Sequence, residues 1–130
     1  MKIDKRFTKG YSNAYDMFEF TKKSSTLKNP DGSIVFHMDN IEVPVQWSQV
    51  ATDILAQKYF RKTGVPQRNK SGKIIYDKDG KPKLGSENSL KQVVHRLAGT
   101  WTHWGKKYNY FDTETDAQNF YDEISYMLLN

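Results

Sequence analysis

Large apolar side chains recur at three- and four-residue spacing in three stretches of this sequence, and polar residues mark where each should stop. The clearest stretch follows Ser89: Leu90, Val93, Val94, Leu97, Trp101 and Trp104 fall on one face of a 3.6-residue helix. Ser89 with Gln92 three residues on is a capping-box pairing, in which hydroxyl and amide each satisfy a backbone N–H that the first turn leaves open. A second face is Ala117, Phe120, Tyr121, Ile124, Met127 and Leu128, with Asp112 or Thr113 as cap and Glu114 and Asp116 near the positive end of the helix dipole. A third is Val50, Ala51, Ile54, Leu55, Tyr59 and Phe60, stopped by Gly64 and Pro66. The spacing predicts helices over 47–63, 89–104 and 113–129, with the last two packed antiparallel or nearly so.

Alternation takes over nearer the N-terminus. Ile34, Phe36 and Met38 alternate against Val35 and His37 just after Asn29-Pro30-Asp31-Gly32, so this segment and Met17–Thr26 read as a β-hairpin closed by an Asp-Gly bend. Ile41–Val45 reads as a separate short extended piece, ended or edged by Pro44. A second small hairpin, Lys73–Tyr76 with Lys81–Leu84 about Asp77-Lys78-Asp79-Gly80, lies inside the long polar loop. The fold class is α+β: a mainly helical single domain, 1–130, with an irregular basic arm at 1–16, an N-terminal β-hairpin and a second small hairpin in a loop at 66–88.

Length and composition narrow the chemistry. At 130 residues the chain can bury a modest core but cannot hold a large barrel. It contains no cysteine, which excludes disulfides, thiolate metal sites and thiol or thiyl chemistry of its own. No apolar run is long enough to span a bilayer, and Met1-Lys2-Ile3-Asp4-Lys5-Arg6 does not lead into a signal-type segment, so a cytoplasmic protein with no membrane partner is expected. The formal charge of +5 concentrates in Met1–Lys9, Lys58–Lys83 and Lys106–Lys107. A solvated surface explains it better than a nucleic-acid partner, because the glycine-aromatic strand motifs of common single-strand binders are missing.

Candidate catalytic groups are few. His37, His95 and His103 have no partner at metal-ligand spacing, and no glycine-rich phosphate loop opens a strand-to-helix turn. Asp112, Glu114, Asp116, Asp122 and Glu123 are accounted for by capping and by a solvated face of the last helix. The aromatic, basic corner between the last two helices stands out: Trp101, Trp104, Tyr108, Tyr110 and Phe111 hold more aromatic surface than a short corner needs. Core packing is the first use expected of them, and an interface anchor the second.

The order of residues resembles the N-terminal part of adenosylcobalamin-dependent, class II ribonucleotide reductases. The matching stretches are Ile3–Thr8, Asn29–Phe36, Ile41–Pro44, Trp47–Pro66, Ser89–Gly105 and Gly105–Leu129, nearly the whole chain, and those at Asp53–Lys62 and Leu97–Phe111 are distinctive. The family's variable part falls between Pro66 and Ser89. The resemblance implies a role in replacing the ribose 2′-hydroxyl by hydrogen. That reaction uses a cobalamin-generated thiyl radical and two reducing cysteines, carried on a ten-stranded α/β barrel that follows this region.

No catalytic, cofactor-binding or metal-binding residue can be carried over to a chain without cysteine, so the isolated chain is expected to be inactive. The resemblance implies a structural part packed against the catalytic barrel polypeptide, in cis or in trans, with nucleotide substrate and adenosylcobalamin belonging only to the full enzyme. The alternative is a free-standing basic module binding nucleic acid or a protein, or an inhibitor that binds a reductase. The candidate interface is Trp101, Trp104, Tyr108, Tyr110 and Phe111, and an exposed groove of Lys106, Lys107, Tyr108 and Tyr110 would favour the nucleic-acid module.

Overall fold

A computed structural model describes residues 1–130. The chain opens with an extended arm and a 3-10 turn, Ala14–Met17, and then forms an antiparallel hairpin of β1, Phe20–Lys28, and β2, Ile34–Pro44. The bend is the expected one: Gly32 takes φ +90° and donates its N–H to the Asn29 carbonyl at 2.9 Å. The extended piece at Ile41–Val45 is not separate. β2 runs through it, because the register shifts between Lys23 and Ser25 and Asn40 takes φ +57°, a bulge that absorbs the extra residue and bends the strand. Beyond the bulge Ile41 and Val43 are fully buried, whereas Ile34 and Val35 near the tip stay exposed.

The first helix departs further from expectation. Ser48 caps α1, Gln49–Ile54, by accepting the Ala51 N–H at 3.1 Å, but at Leu55 the helix widens into a π turn, Leu55–Tyr59, and stops. Phe60 is already extended and donates its N–H to the Leu55 carbonyl at 3.1 Å. A polar clamp fixes this exit: Glu87 accepts the Arg61 N–H at 2.8 Å and pairs with Arg96, whose guanidinium also donates to the Tyr59 carbonyl at 2.9 Å. Gly64, at φ +77°, therefore lies in the loop and does not cap the helix.

The loop that follows is a small meander. Val65–Pro66 (β3) pairs with Leu84–Gly85 (β4), and bridges join Arg68 to Ile74 and Tyr76 to Pro82. The Asp77–Gly80 turn is where the sequence places it. A further turn at Asn69–Gly72 is held by Asn69 Oδ1, which accepts the N–H groups of Ser71 and Lys73 at 3.0 Å.

Helices α2, Leu90–Lys107, and α3, Glu114–Leu129, complete the fold. Both carry a complete capping box, Ser89 with Gln92 and Thr113 with Asp116. Helix α2 runs past residue 104 because Asn109, at φ +57°, ends it: Tyr110 N–H donates to the Gly105 carbonyl and Asn109 N–H to the Lys106 carbonyl. That is a Schellman closure with asparagine in the left-handed position. Gly105 leaves room for Phe111 to fold over the helix, since a Cβ there would overlap the Phe111 ring. The two helices are antiparallel, since Lys106 meets Glu114 at one end and His95 meets Tyr121 at the other. The core gathers Ile41 and Val43 of β2, Leu55 and Ala56 from the π turn with Phe60 just after it, Leu90, Val93 and Val94 of α2, and Leu129 of α3.

Candidate functional site

The apolar stripe of α2 divides into a covered and an uncovered half. Leu90, Val93 and Val94 are buried, but from Leu97 onward the core takes the small side of the helix, Ala98, Thr102 and Gly105. Trp101 is left 38 % and Trp104 53 % exposed. The expectation of core packing therefore fails for four of the five corner aromatics: Trp101, Trp104, Tyr108 and Tyr110 face solvent, and only Phe111 turns inward, against Phe120 at a centroid distance of 5.4 Å. The cause is steric. Small residues at 98, 102 and 105 let α3 approach closely, which rotates the bulky positions outward.

The exposed track continues into an apolar groove. Trp47, Ala51, Ile54, Leu55 and Tyr59 form one wall, Leu90, Val93, Val94 and Leu97 the other, and Leu128 closes one side of a space of about 370 Å³. The π turn places Leu55 inward and leaves Tyr59 exposed at the rim. The predicted stripe on the first helix is split in the same way, with Val50, Ile54 and Tyr59 exposed and Leu55 and Phe60 buried. The indole N–H of Trp47, a groove-wall residue, donates to the Leu129 carbonyl at 2.8 Å.

On the far side of α3 the acidic residues have a use that the sequence reading missed. Asp116, Asp122 and Glu123 are buried, not solvated. Glu123 accepts the N–H groups of Arg6, Phe7 and Thr8 and the Thr8 hydroxyl, all within 3.0 Å. Asp116 accepts the Ile3 N–H at 2.9 Å, Asn119 donates to the Ile3 carbonyl at 2.8 Å, and Asp122 pairs with Lys5 at 3.1 Å. The basic arm is thus laced along the last helix, its open backbone groups satisfied by side chains. Burial raises the proton affinity of Glu123, but the donors of Phe7, Thr8 and Arg6 outweigh it and hold the carboxyl below the usual range. The Ile3 N–H, followed by the Thr113 hydroxyl, lowers Asp116 in the same direction.

The histidines do not converge on a metal-binding cluster. His37 lies on the hairpin surface, bonded to Thr26 at 2.7 Å, while His95 and His103 flank a shallow polar notch of about 340 Å³ with Lys106, Gln118 and Tyr121. No group of three or more His, Cys, Asp or Glu is placed to hold a metal ion. No helix is long and apolar enough to cross a membrane.

These features are those of a small α+β module with an uncovered aromatic and apolar face, and its relatives show which larger protein carries such a module. A family model for the class II vitamin B12-dependent ribonucleotide reductases matches residues 21–130. The vitamin B12-dependent ribonucleotide reductase of Agrobacterium fabrum is 47% identical over 98% of this chain, which corresponds to 11% of that protein. Those of Bradyrhizobium diazoefficiens and Streptomyces coelicolor are 46% and 30% identical, over 98% and 100% of this chain and 12% of each relative. The chain belongs to the class II ribonucleotide reductase family and spans only 11 to 12% of the length of these relatives. Its own residues do not fit the cobalamin that names the family: against the cofactor's many amides the groove sets a single hydroxyl, that of Tyr59 at its rim, and the notch is a shallow surface feature.

Proposed function

We propose that this chain, residues 1–130 as one domain, is the N-terminal part of a vitamin B12-dependent ribonucleotide reductase. It supports the catalytic barrel, which carries adenosylcobalamin, the nucleotide and the redox cysteines. The carrying observation is the uncovered face of α2, where Trp101 and Trp104 stand exposed beside Tyr108 and Tyr110 in a chain one-ninth the length of its Agrobacterium relative. Large aromatic side chains exposed side by side are the kind that anchor interfaces. Covering them with the barrel would remove that apolar area from water and fix the barrel's N-terminal flank. On this reading Phe111 is a support for Gly105 rather than a contact, the loop at 66–88 stays peripheral, and the protein works in the cytoplasm. The test is to combine the chain with the remainder of a family reductase and assay ribonucleotide reduction with adenosylcobalamin. Activity requiring both pieces supports the proposal. Turnover by the chain alone, or full activity of the remainder without it, contradicts it.

A second reading draws on the exposure of Lys106, Lys107, Tyr108 and Tyr110, which suits stacking on single-stranded nucleic acid. Against it, Lys106 is paired with Glu114 and the Lys107 ammonium lies 5.6 Å from the Tyr108 ring centroid, so both cations already have partners. Salt-sensitive binding to single strands would support this module, and a complex that suppresses an intact reductase would support an inhibitor.

A further inference from the structure

We infer that the groove between α1 with its π turn and α2 is a docking site for apolar side chains of the reductase's catalytic portion. This inference rests on the reading above and extends it from the aromatic corner to a second, separable contact. The occupant follows from the lining. A space of about 370 Å³ would suit a small ligand by size, but such sites carry a few placed polar groups to orient what they bind. The ten lining side chains present hydrocarbon and aromatic surface, and of their two polar groups the Trp47 N–H is spent on Leu129 while the Tyr59 hydroxyl belongs to the exposed rim. The groove therefore recognises shape and apolar surface, as a polypeptide side chain presents them.

The source of that polypeptide follows from position. Leu128 closes the groove and the Leu129 carbonyl is tied to its wall, so the end of α3 is anchored at its edge. In the relatives about nine-tenths of the protein lies outside the matched part. Leu97, which lines the groove, lies one turn from Trp101 and two from Trp104 along the same face of α2, so one body lying on that face would reach it. The π turn contributes its own evidence: such turns concentrate at functional positions, and this one sets Leu55 as floor and Tyr59 as rim.

The test measures association of the full 130-residue chain with the remainder of the Agrobacterium fabrum reductase, by calorimetry, for three variants. Ile54→Lys puts a charge at a half-exposed groove wall, Val50→Lys puts it on the same helix outside the lining, and Trp104→Ser removes a corner aromatic. Ile54→Lys is expected to weaken association at least tenfold with an unchanged circular dichroism spectrum and melting temperature, and Val50→Lys to leave it within twofold. Association by Ile54→Lys equal to the unmodified chain, with Trp104→Ser impaired, overturns the groove and leaves the parent reading standing. No association by the unmodified chain overturns both.

Discussion

The Thr8 hydroxyl donates to Glu123 Oε1 at 2.7 Å, across 115 residues of chain, and the Thr8 N–H reaches the same oxygen at 3.0 Å. Both residues are buried, so one carboxylate serves as the anchor of the N-terminal arm.

Glu123→Gln retains the volume but offers one acceptor oxygen where two now receive four donors. Hydrogen bonds to charged groups contribute about 1.5–3 kcal/mol, and buried donors left unpaired add a penalty. A loss of roughly 2–3 kcal/mol is expected by urea denaturation. Within 0.5 kcal/mol of the unmodified chain, a value typical of about any surface change, the anchor would have no energetic meaning.

The same carboxylates set the acid response. Glu123 and Asp116 are both lowered in the folded chain, so each contributes stability that is present above its unfolded value, about 4.3 for Glu and 3.9 for Asp. That contribution is lost as pH falls through the lower, folded values. Amide exchange at Arg6, Phe7 and Thr8 should therefore stay slow near neutrality, with stability declining below about pH 4. In Glu123→Gln the decline should be shallower; an identical acid profile would assign the response to other groups.

The two glycines inside α2 should respond oppositely to alanine. At Gly105 a Cβ would lie 2.4 Å from Phe111, and overpacking of this kind costs about 1–3 kcal/mol. At Gly99 the nearest atom is His95 Cε1 at 3.7 Å, ordinary contact, so Gly99→Ala should gain up to about 1 kcal/mol of helix stability. Denaturation midpoints of the two variants decide this, and a stabilising Gly105→Ala would refute the Phe111 packing.

Much of this fold was legible because its signals are local. The α2 and α3 starts, the Ser89–Gln92 box and the Gly32 bend depend on residues within a turn of one another. What escaped depends on partners far along the chain. Asp122 and Glu123 read as a solvated face and Asp116 only as a first-turn acid, since nothing near them in sequence shows that backbone N–H groups of Ile3 to Thr8 come to rest there. The end of α1 escaped because Glu87 and Arg96 impose it. Periodicity also reads the same for a covered and an uncovered face: Trp101 and Trp104 continue the stripe of Leu90 and Val93, and only the small residues Ala98, Thr102 and Gly105 hinted that α3 would pack to one side. The helix stop at Asn109 escaped because the apolar stripe that marks the helix ends at Trp104.

Exposed tryptophans should matter for assembly and not for folding. Trp101→Ser and Trp104→Ser are expected to change stability by less than about 0.5–1 kcal/mol, while each weakens binding to the reductase remainder by roughly tenfold or more, the scale of interface anchors. Loss of the fold in both variants, seen by circular dichroism, would show that these side chains serve the core after all.

The decisive measurement is reconstitution. The 130-residue chain is mixed with the catalytic remainder of a family reductase, and ribonucleotide reduction is followed with adenosylcobalamin present. The expected result is a complex whose activity requires both polypeptides and falls when Trp101 and Trp104 are replaced. A remainder that is fully active alone and forms no complex with this chain would contradict its role as the supporting N-terminal part.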